Sequence, residues 1–504
     1  MKRILSVFLV VVMLAAVLIA GLASCDKEPE KEPGGPSCPP ITDRRIPVDY
    51  LPEDGFGGAT FHILAWTANG LTEVGGKWIP WEEGYVAEKD GDMLASAVFD
   101  RNAWVEENYE VTITQEYVSV DPVGGPDYAT VVRGDAGSGD SNYQLFTLRS
   151  LNIVGLIEEE LFADMNDYSQ YIKTDQPWWV EDSVASYTLG SHLYVASSEM
   201  LLRDKGATAA MYFNQNIAAD YDLPDFFTLV EDYEWTFEQM IDACEIVYTS
   251  LDGDDEMNSA RDLWGCVGGD SPVYYLFNAF GYKFAHIDDD GYVSYDYGYD
   301  DDTIIAMKSI FDDFMYGDFY LNTAVNGKAF LKDGQDLFVD GQVLFKSGMV
   351  KDSTTVLKNM QDMYGILPHP LYSVEQESYS SLVWSHYDSV LGIPAHADDK
   401  EMCAVILEAL SWESYYSVHP VFYDTLLLNR ACKDFESREM LKIIFKTRSY
   451  DPGLYWDSSG LHGSDGLLRL SSKGTSDIAG MWAGFRETVE ANIAAVNAWV
   501  DAHE

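Results

Sequence analysis

Flat aromatic side chains set among planar hydrogen-bonding ones are the residues of this sequence best suited to chemistry. Trp66 closes an apolar run, Trp178 and Trp179 follow Pro177 in an acidic stretch, Trp264 stands in a Gly-rich one, and Trp384 is followed by Tyr387 and Asp388. A sugar presents apolar C–H faces alternating with hydroxyls, so its site needs a ring to cover the face and polar groups to orient the hydroxyls. Any one Trp is more often core than platform, because it buries a large apolar area. Glu199 and Arg203 are further polar candidates.

Constellations for covalent chemistry are missing from the sequence. It contains no G-x-S-x-G, H-E-x-x-H, G-x-x-x-x-G-K-[ST] or strand-linked G-x-G-x-x-G, and its nine histidines are scattered singly. A glycoside hydrolase needs two carboxylates, but with 83 Asp and Glu some pairing is inevitable and selects nothing. No catalytic residue and no cofactor is assigned.

The elements that would hold these side chains can be read from periodicity. Residues 60–66 form a buried apolar run, 111–118 a second strand-like run, and 93–108 a helical stretch between them, the spacing of a parallel α/β unit. Residues 143–148 and 192–196 add strand-like runs. Thr236 with Gln239 forms a capping box ahead of an apolar stripe of Met240, Ile241, Cys244, Val247 and Tyr248. Asp398 with Glu401 opens a similar helix carrying Met402, Val405, Ile406, Ala409 and Leu410.

The first residues read as an export signal: Lys2 and Arg3 precede an apolar run over 4–22. Leu22-Ala23-Ser24-Cys25 resembles the lipobox of bacterial lipoproteins, which implies a signal peptide over 1–24 and a lipid on the Cys25 thiol. Residues 25–55 hold seven prolines among charged and glycine residues, too little apolar material to bury, and read as a tether. About 450 residues remain, which suggests two or more lobes. No second apolar span follows the signal.

With 32 Lys and Arg against 83 Asp and Glu, the formal charge of −51 repels phosphates and argues against nucleic-acid partners. Cys38, Cys244, Cys266, Cys403 and Cys432 remain beside Cys25, and no CxxC pair suggests a zinc or redox site.

Several stretches together resemble the extracellular solute-binding proteins of ABC importers, particularly the sugar-binding group. They are Leu193-Tyr194-Val195-Ala196-Ser197-Ser198, Tyr212-Phe213-Asn214 with Ile217-Ala218-Ala219-Asp220-Tyr221, and Trp235-Thr236-Phe237-Glu238-Gln239-Met240. Later come the run from Phe338 to Phe345, Gly365-Ile366-Leu367-Pro368, and Val390-Leu391-Gly392-Ile393-Pro394. The resemblance spans roughly residues 56–450.

It implies two discontinuous α/β lobes joined by a hinge, with residues 56–208 and 330–375 in lobe one and 209–329 and 376–504 in lobe two. Trp384 and Tyr387 would then sit where the chain recrosses, with Glu199, Arg203 and Asp388 near the crossings. The implied protein is a lipid-anchored, monomeric carrier of a small ligand, a carbohydrate foremost, working with permease subunits. A peptide or polyamine ligand is the alternative within the same fold, since negative charge suits a cation.

Residues 250–262 resemble a calcium loop of that family. With Asp252, Asp254 and Asn258 at positions three, five and nine, Ser250 holds position one, Asp255 replaces the usual Gly, and Arg261 takes the place of the terminal acid. Asp262 would serve only after a one-residue shift. The reading is an acidic turn without metal.

Overall fold

The computed structural model describes residues 49–67, 93–120, 127–139, 142–253, 262–296, 301–323, 334–425, 434–456 and 477–504, plus a few single positions between them. Cys25, Cys38, Asp254, Asn258 and Cys432 lie outside the described residues, and so does the tether before residue 49.

Two sheets organise the described chain. Their strands are β1 (Ala59–Thr67), β2 (Val111–Ser119), β3 (Leu145–Leu148), β4 (Ala209–Asn214), β5 (Trp264–Gly268), β6 (Tyr320–Asn322), β7 (Val343–Met349), β8 (Tyr364–Leu367) and β9 (Val390–Gly392). The helices that matter below are α1 (Met93–Tyr109), α2 (Phe237–Val247), α3 (Pro272–Ala279), α4 (Lys400–Glu413) and α5 (Glu436–Lys446).

The first sheet has the order β9-β3-β1-β2. β1 is central and parallel to both neighbours, with Ala59 opposite Val111 and Ile63 opposite Leu145, while β9 runs antiparallel with Val390 opposite Leu148. Covered on both faces, β1 is apolar almost throughout: Phe61, Ile63, Leu64, Ala65 and Trp66 are all buried. Edge strand β2 keeps Val111 and Ile113 inward and exposes Thr112, Glu116 and Tyr117. The expected strand–helix–strand unit of β1, α1 and β2 is present.

The second sheet has the order β6-β5-β7-β4-β8. β6, β5 and β7 are mutually parallel, and β4 runs against both β7 and β8, with Phe213 opposite Phe345 and Met211 opposite Leu367. Each sheet therefore contains one strand that enters from the other side of the molecule, β9 in the first and β4 in the second.

This pairing corrects the expected division. Residues 343–349 and 364–367 belong with 209–214 in the second sheet, not with 56–208. The stretch 376–504 is shared: β9 joins the first sheet, α4 packs on α1, and α5 packs on β8. Sheet membership is fixed by hydrogen bonds between segments more than a hundred residues apart, which local pattern does not encode.

Helix starts follow local chemistry. Thr236 accepts from Gln239 N at 3.4 Å to cap α2, as expected, whereas α4 is capped by Asp399, which accepts from Met402 N at 2.9 Å, and not by Asp398. From Met402 to Glu413 every residue of α4 is buried, so it is an internal helix and not an amphipathic one. The strand-like run at 192–196 is a strand only at His192–Leu193. Cys244, Cys266 and Cys403 are free and buried.

Candidate functional site

Between the sheets the chain makes two passages that run side by side. Ala196 bridges Leu391 at one end and Thr208 bridges Val383 at the other, both antiparallel. Trp384 N donates to Ala207 O at 3.1 Å, and Val350 N to Thr208 O at 2.9 Å. Backbone hydrogen bonds thus hold the two passages together.

Both sheets aim the carboxyl ends of parallel strands at this junction, the position where open α/β sheets form a ligand crevice. Trp66 stands near the end of β1, Arg149 directly follows β3, and Lys351 follows β7 by two residues. Their side chains converge on two rings. The Arg203 guanidinium lies 4.1 Å from the Trp66 ring centroid and 5.5 Å from that of Tyr387. Arg149 lies 5.8 Å from the Trp66 ring, and Lys351 Nζ sits 4.0 Å over Tyr387. The rings meet edge to face at 6.5 Å, and each cation over a ring face is an electrostatic attraction.

Hydrogen bonds fix this cluster. Trp66 Nε1 donates to Ser389 Oγ at 2.9 Å, and Ser197 Oγ donates to Ser389 O at 3.0 Å. Asp388 accepts from Ser150 N at 3.1 Å and from Ser150 Oγ at 2.9 Å. Burial pushes its carboxyl up to about 7 even though the Ser150 bonds favour the ionised form. Burial also lowers the Lys351 amine; Asp352 opposes that effect, while Lys346 and Arg203 add to it as like charges. Trp66 is 1% exposed, Arg203 3% and Asp388 1%, so the Trp66 ring is closed to water in this conformation, while Tyr387 is half-buried.

Glu199 serves a neighbouring network. It pairs with Lys205 at 3.0 Å, with His419 Nδ1, and with Arg448 at 3.7 Å. Burial alone would raise its carboxyl, but His419, Lys205 and Arg448 hold it well below the usual carboxylate range. Asp204 accepts from Arg448 at 2.8 Å and from the Tyr450 hydroxyl at 3.2 Å. These bonds tie the first passage to the chain after α4.

The other expected residues are placed differently. Trp178 and Trp179 donate their indole N–H groups to the two carboxylate oxygens of Glu408 on α4, at 2.8 and 2.9 Å, and the Tyr50 hydroxyl joins them. Both rings are buried core, although the backbone at 178–180 pairs with 197–199 of the first passage. Trp264 lies within β5 and packs edge-on against Tyr248. Trp384 is at the junction but covered: it stacks on His386 at 4.6 Å and contacts Tyr274 and Tyr275 of α3. Asp262 is fully buried and accepts from Leu251 N at 2.9 Å, closing the turn as a backbone clamp.

Arg149 and Lys351 escaped sequence reading. Their signal was present: each is a base directly beyond a strand end in a chain poor in bases. Two surface cavities, about 640 Å³ between Val293–Asp296 and Val489–Asn497 and about 730 Å³ beside α2, lie away from the junction. They are wide grooves to which neither sheet points its strand ends.

The fold has known counterparts. The fold is that of ABC-importer solute-binding proteins. Among solved structures, the chain is similar to the galacto-N-biose-/lacto-N-biose I-binding protein of Bifidobacterium longum in complex with lacto-N-biose. Identity is 11%, the TM-score 0.54, and the match covers 88% of this chain and 99% of that one. A cycloalternan-bound ABC substrate-binding protein of Listeria monocytogenes matches at 11% identity and TM-score 0.53 over 88% and 99%. An open conformation of a sugar transporter protein from Rhizobium etli matches at 12% and 0.53 over 88% and 100%. No family model and no curated protein matches the sequence. The passages at 196–208 and 383–391 run between the two sheets of this fold.

Proposed function

We propose that this chain is an extracytoplasmic solute-binding protein that captures a small saccharide between its two sheets and delivers it to the permease of an ABC importer without chemical change. The observation that carries this reading is the convergence of strand ends from both sheets on the Trp66–Tyr387 ring pair, beside the two passages that would act as a hinge. A ligand seated there would touch both lobes, and closure would convert occupancy into shape. Lacto-N-biose and cycloalternan in two structures of the same fold support a saccharide as the ligand class.

Anchoring through a lipid on Cys25 belongs to the same proposal, supported by the lipobox-like sequence and by the Pro-rich stretch after it. Among the described residues no helix is long and apolar enough to cross a membrane. The protein would act as a monomer. The turn at Asp252 and Asp262 would hold no calcium, since Asp255 stands where the loop needs Gly and Arg261 where it needs the terminal acid.

A thermal-shift screen of saccharides, peptides and polyamines tests the ligand class. A ligand at 100 times its Kd stabilises the folded state by about 2.7 kcal/mol, and the reading expects a sugar among the hits, recovered intact by product analysis. Hydrolysis of that sugar, or hits confined to peptides and polyamines, would refute it. The anchor is tested separately, by loss of lipid labelling in Cys25→Ser.

A further inference from the structure

β7 and β8 both run against β4, so they end on the same side of the second sheet, the side aimed at the junction. Ser347 lies near the end of β7, and His369 follows β8 by two residues. Ser347 Oγ and His369 Nε2 share a hydrogen bond of 2.8 Å. The Tyr275 ring of α3 lies 5.5 Å from the imidazole and 5.7 Å from the Trp384 ring of the second passage. His369 therefore stands between the second sheet and the passage that leads on to Tyr387.

Its backbone is fixed on both sides. Pro368 and Pro370 flank it, and a residue before proline is held to extended conformations. Trp235 Nε1 donates to Pro368 O at 3.1 Å, and Leu371 N donates to Trp235 O at 3.0 Å. The side chain is 1% exposed, yet among the described residues its Nδ1 meets no hydrogen-bond partner. Ser385, directly after Trp384, has a buried hydroxyl in the same situation. A polar atom buried without a partner is costly, and each one asks for an explanation.

Burial and the neighbouring Lys346 push the imidazole down to about 3, so it stays uncharged, with one nitrogen donating and the other accepting. So weak a base does not activate Ser347 as a nucleophile near neutral pH, which leaves the pair a binding group. A sugar hydroxyl both donates and accepts, and it completes Nδ1 whichever tautomer Ser347 selects.

Resting on the saccharide reading above, we infer that His369 is a specificity-determining residue of the ligand site, its Nε2 held by Ser347 and its Nδ1 hydrogen-bonded to one hydroxyl of the bound sugar. A site built to bond a hydroxyl rejects the sugar that lacks it far more sharply than an apolar wall rejects a change of size. Ser347 is then a positioning residue, because its bond to Nε2 sets which nitrogen carries the proton.

The test uses the full chain in detergent, with nitrogen-15 in the histidine rings. Lactose, maltose, cellobiose, lacto-N-biose and their component monosaccharides are titrated calorimetrically, and the tightest is compared with its monodeoxy analogues. One analogue should bind about tenfold more weakly than the complete sugar, and that ratio should fall toward one in His369→Phe. Saturation with the complete sugar should also shift the His369 Nδ1 resonance of the unsubstituted protein, a readout that needs no variant to fold. Ser347→Ala should change the tautomer seen in the same spectrum, and an unchanged tautomer removes Ser347 from its positioning role. An unmoved Nδ1 resonance, or deoxy penalties of equal size with and without His369→Phe, overturns this inference and leaves the saccharide reading standing. Failure of all these sugars to bind overturns the saccharide reading and this inference with it.

Discussion

Two aromatic-and-polar clusters, built from similar residues, do opposite work in this molecule. In one, Trp178, Trp179 and Tyr50 point their donors at a single carboxylate, Glu408. In the other, Trp66 and Tyr387 offer ring faces to cations arriving from both sheets. The first cluster closes on itself within the region around α4. The second is assembled from segments that belong to different sheets, so it changes whenever those sheets move. What separates core from site is where the partners come from, not the residue types.

The sharpest way to break this comparison is to truncate the first cluster. Trp178→Ala should cost about 3–5 kcal/mol of stability, read by urea unfolding, while the folded fraction binds ligand with unchanged affinity. A folded variant that loses binding would move this cluster into the site.

Tyr387→Ala is the converse. Its ring is partly exposed, so stability should change little, whereas affinity should weaken about tenfold, or about 1.4 kcal/mol. Titration calorimetry on the folded variant decides, and unaltered affinity would remove Tyr387 from the ligand surface.

Acidity separates two carboxylates of the junction itself. Asp388, raised to about 7 by burial, binds a proton more tightly folded than unfolded. Its contribution therefore makes stability fall as pH rises from about 4 toward 7 and stay level above. Glu199, held low by His419, Lys205 and Arg448 despite its burial, contributes stability that is present above its unfolded pKa and is lost as pH falls through its folded one. Urea melts at pH 4, 5.5 and 8 should show Asp388→Asn flattening the decline toward neutral pH and Glu199→Gln removing sensitivity at the acidic end. The same slope in both variants would contradict the assignment.

The smallest effect on binding is expected at Trp264. Trp264→Phe keeps an aromatic ring in β5 against Tyr248, so affinity should be unchanged and stability should fall by about 1–2 kcal/mol.

How far the sequence reached can be judged residue by residue. The apolar run ending at Trp66 announced a strand covered on both faces, and the Thr236–Gln239 pair announced a helix start, because burial pattern and capping act over a few residues. Six candidates, Trp66, Glu199, Arg203, Trp384, Tyr387 and Asp388, stand at the junction. The family-like order of segments pointed to them, since no short motif encodes a cleft. Trp178, Trp179 and Trp264 were indistinguishable from them in sequence. A Trp looks the same whether its partner is a buried carboxylate or a ligand.

By itself, then, the sequence determined an acidic α/β chain, its local helices and strands, and a short list of rings that could face a sugar. Only tertiary structure decided which sheet owns β7, β8 and β9, and which ring stands where both sheets end. It also brought Arg149 and Lys351, 202 positions apart in the chain, to one pair of rings. The physical reason is range: propensity, capping and periodicity are settled within a turn or two of chain. Strand pairing and the balance of buried charge are settled between segments hundreds of residues apart, where only the fold sets distance.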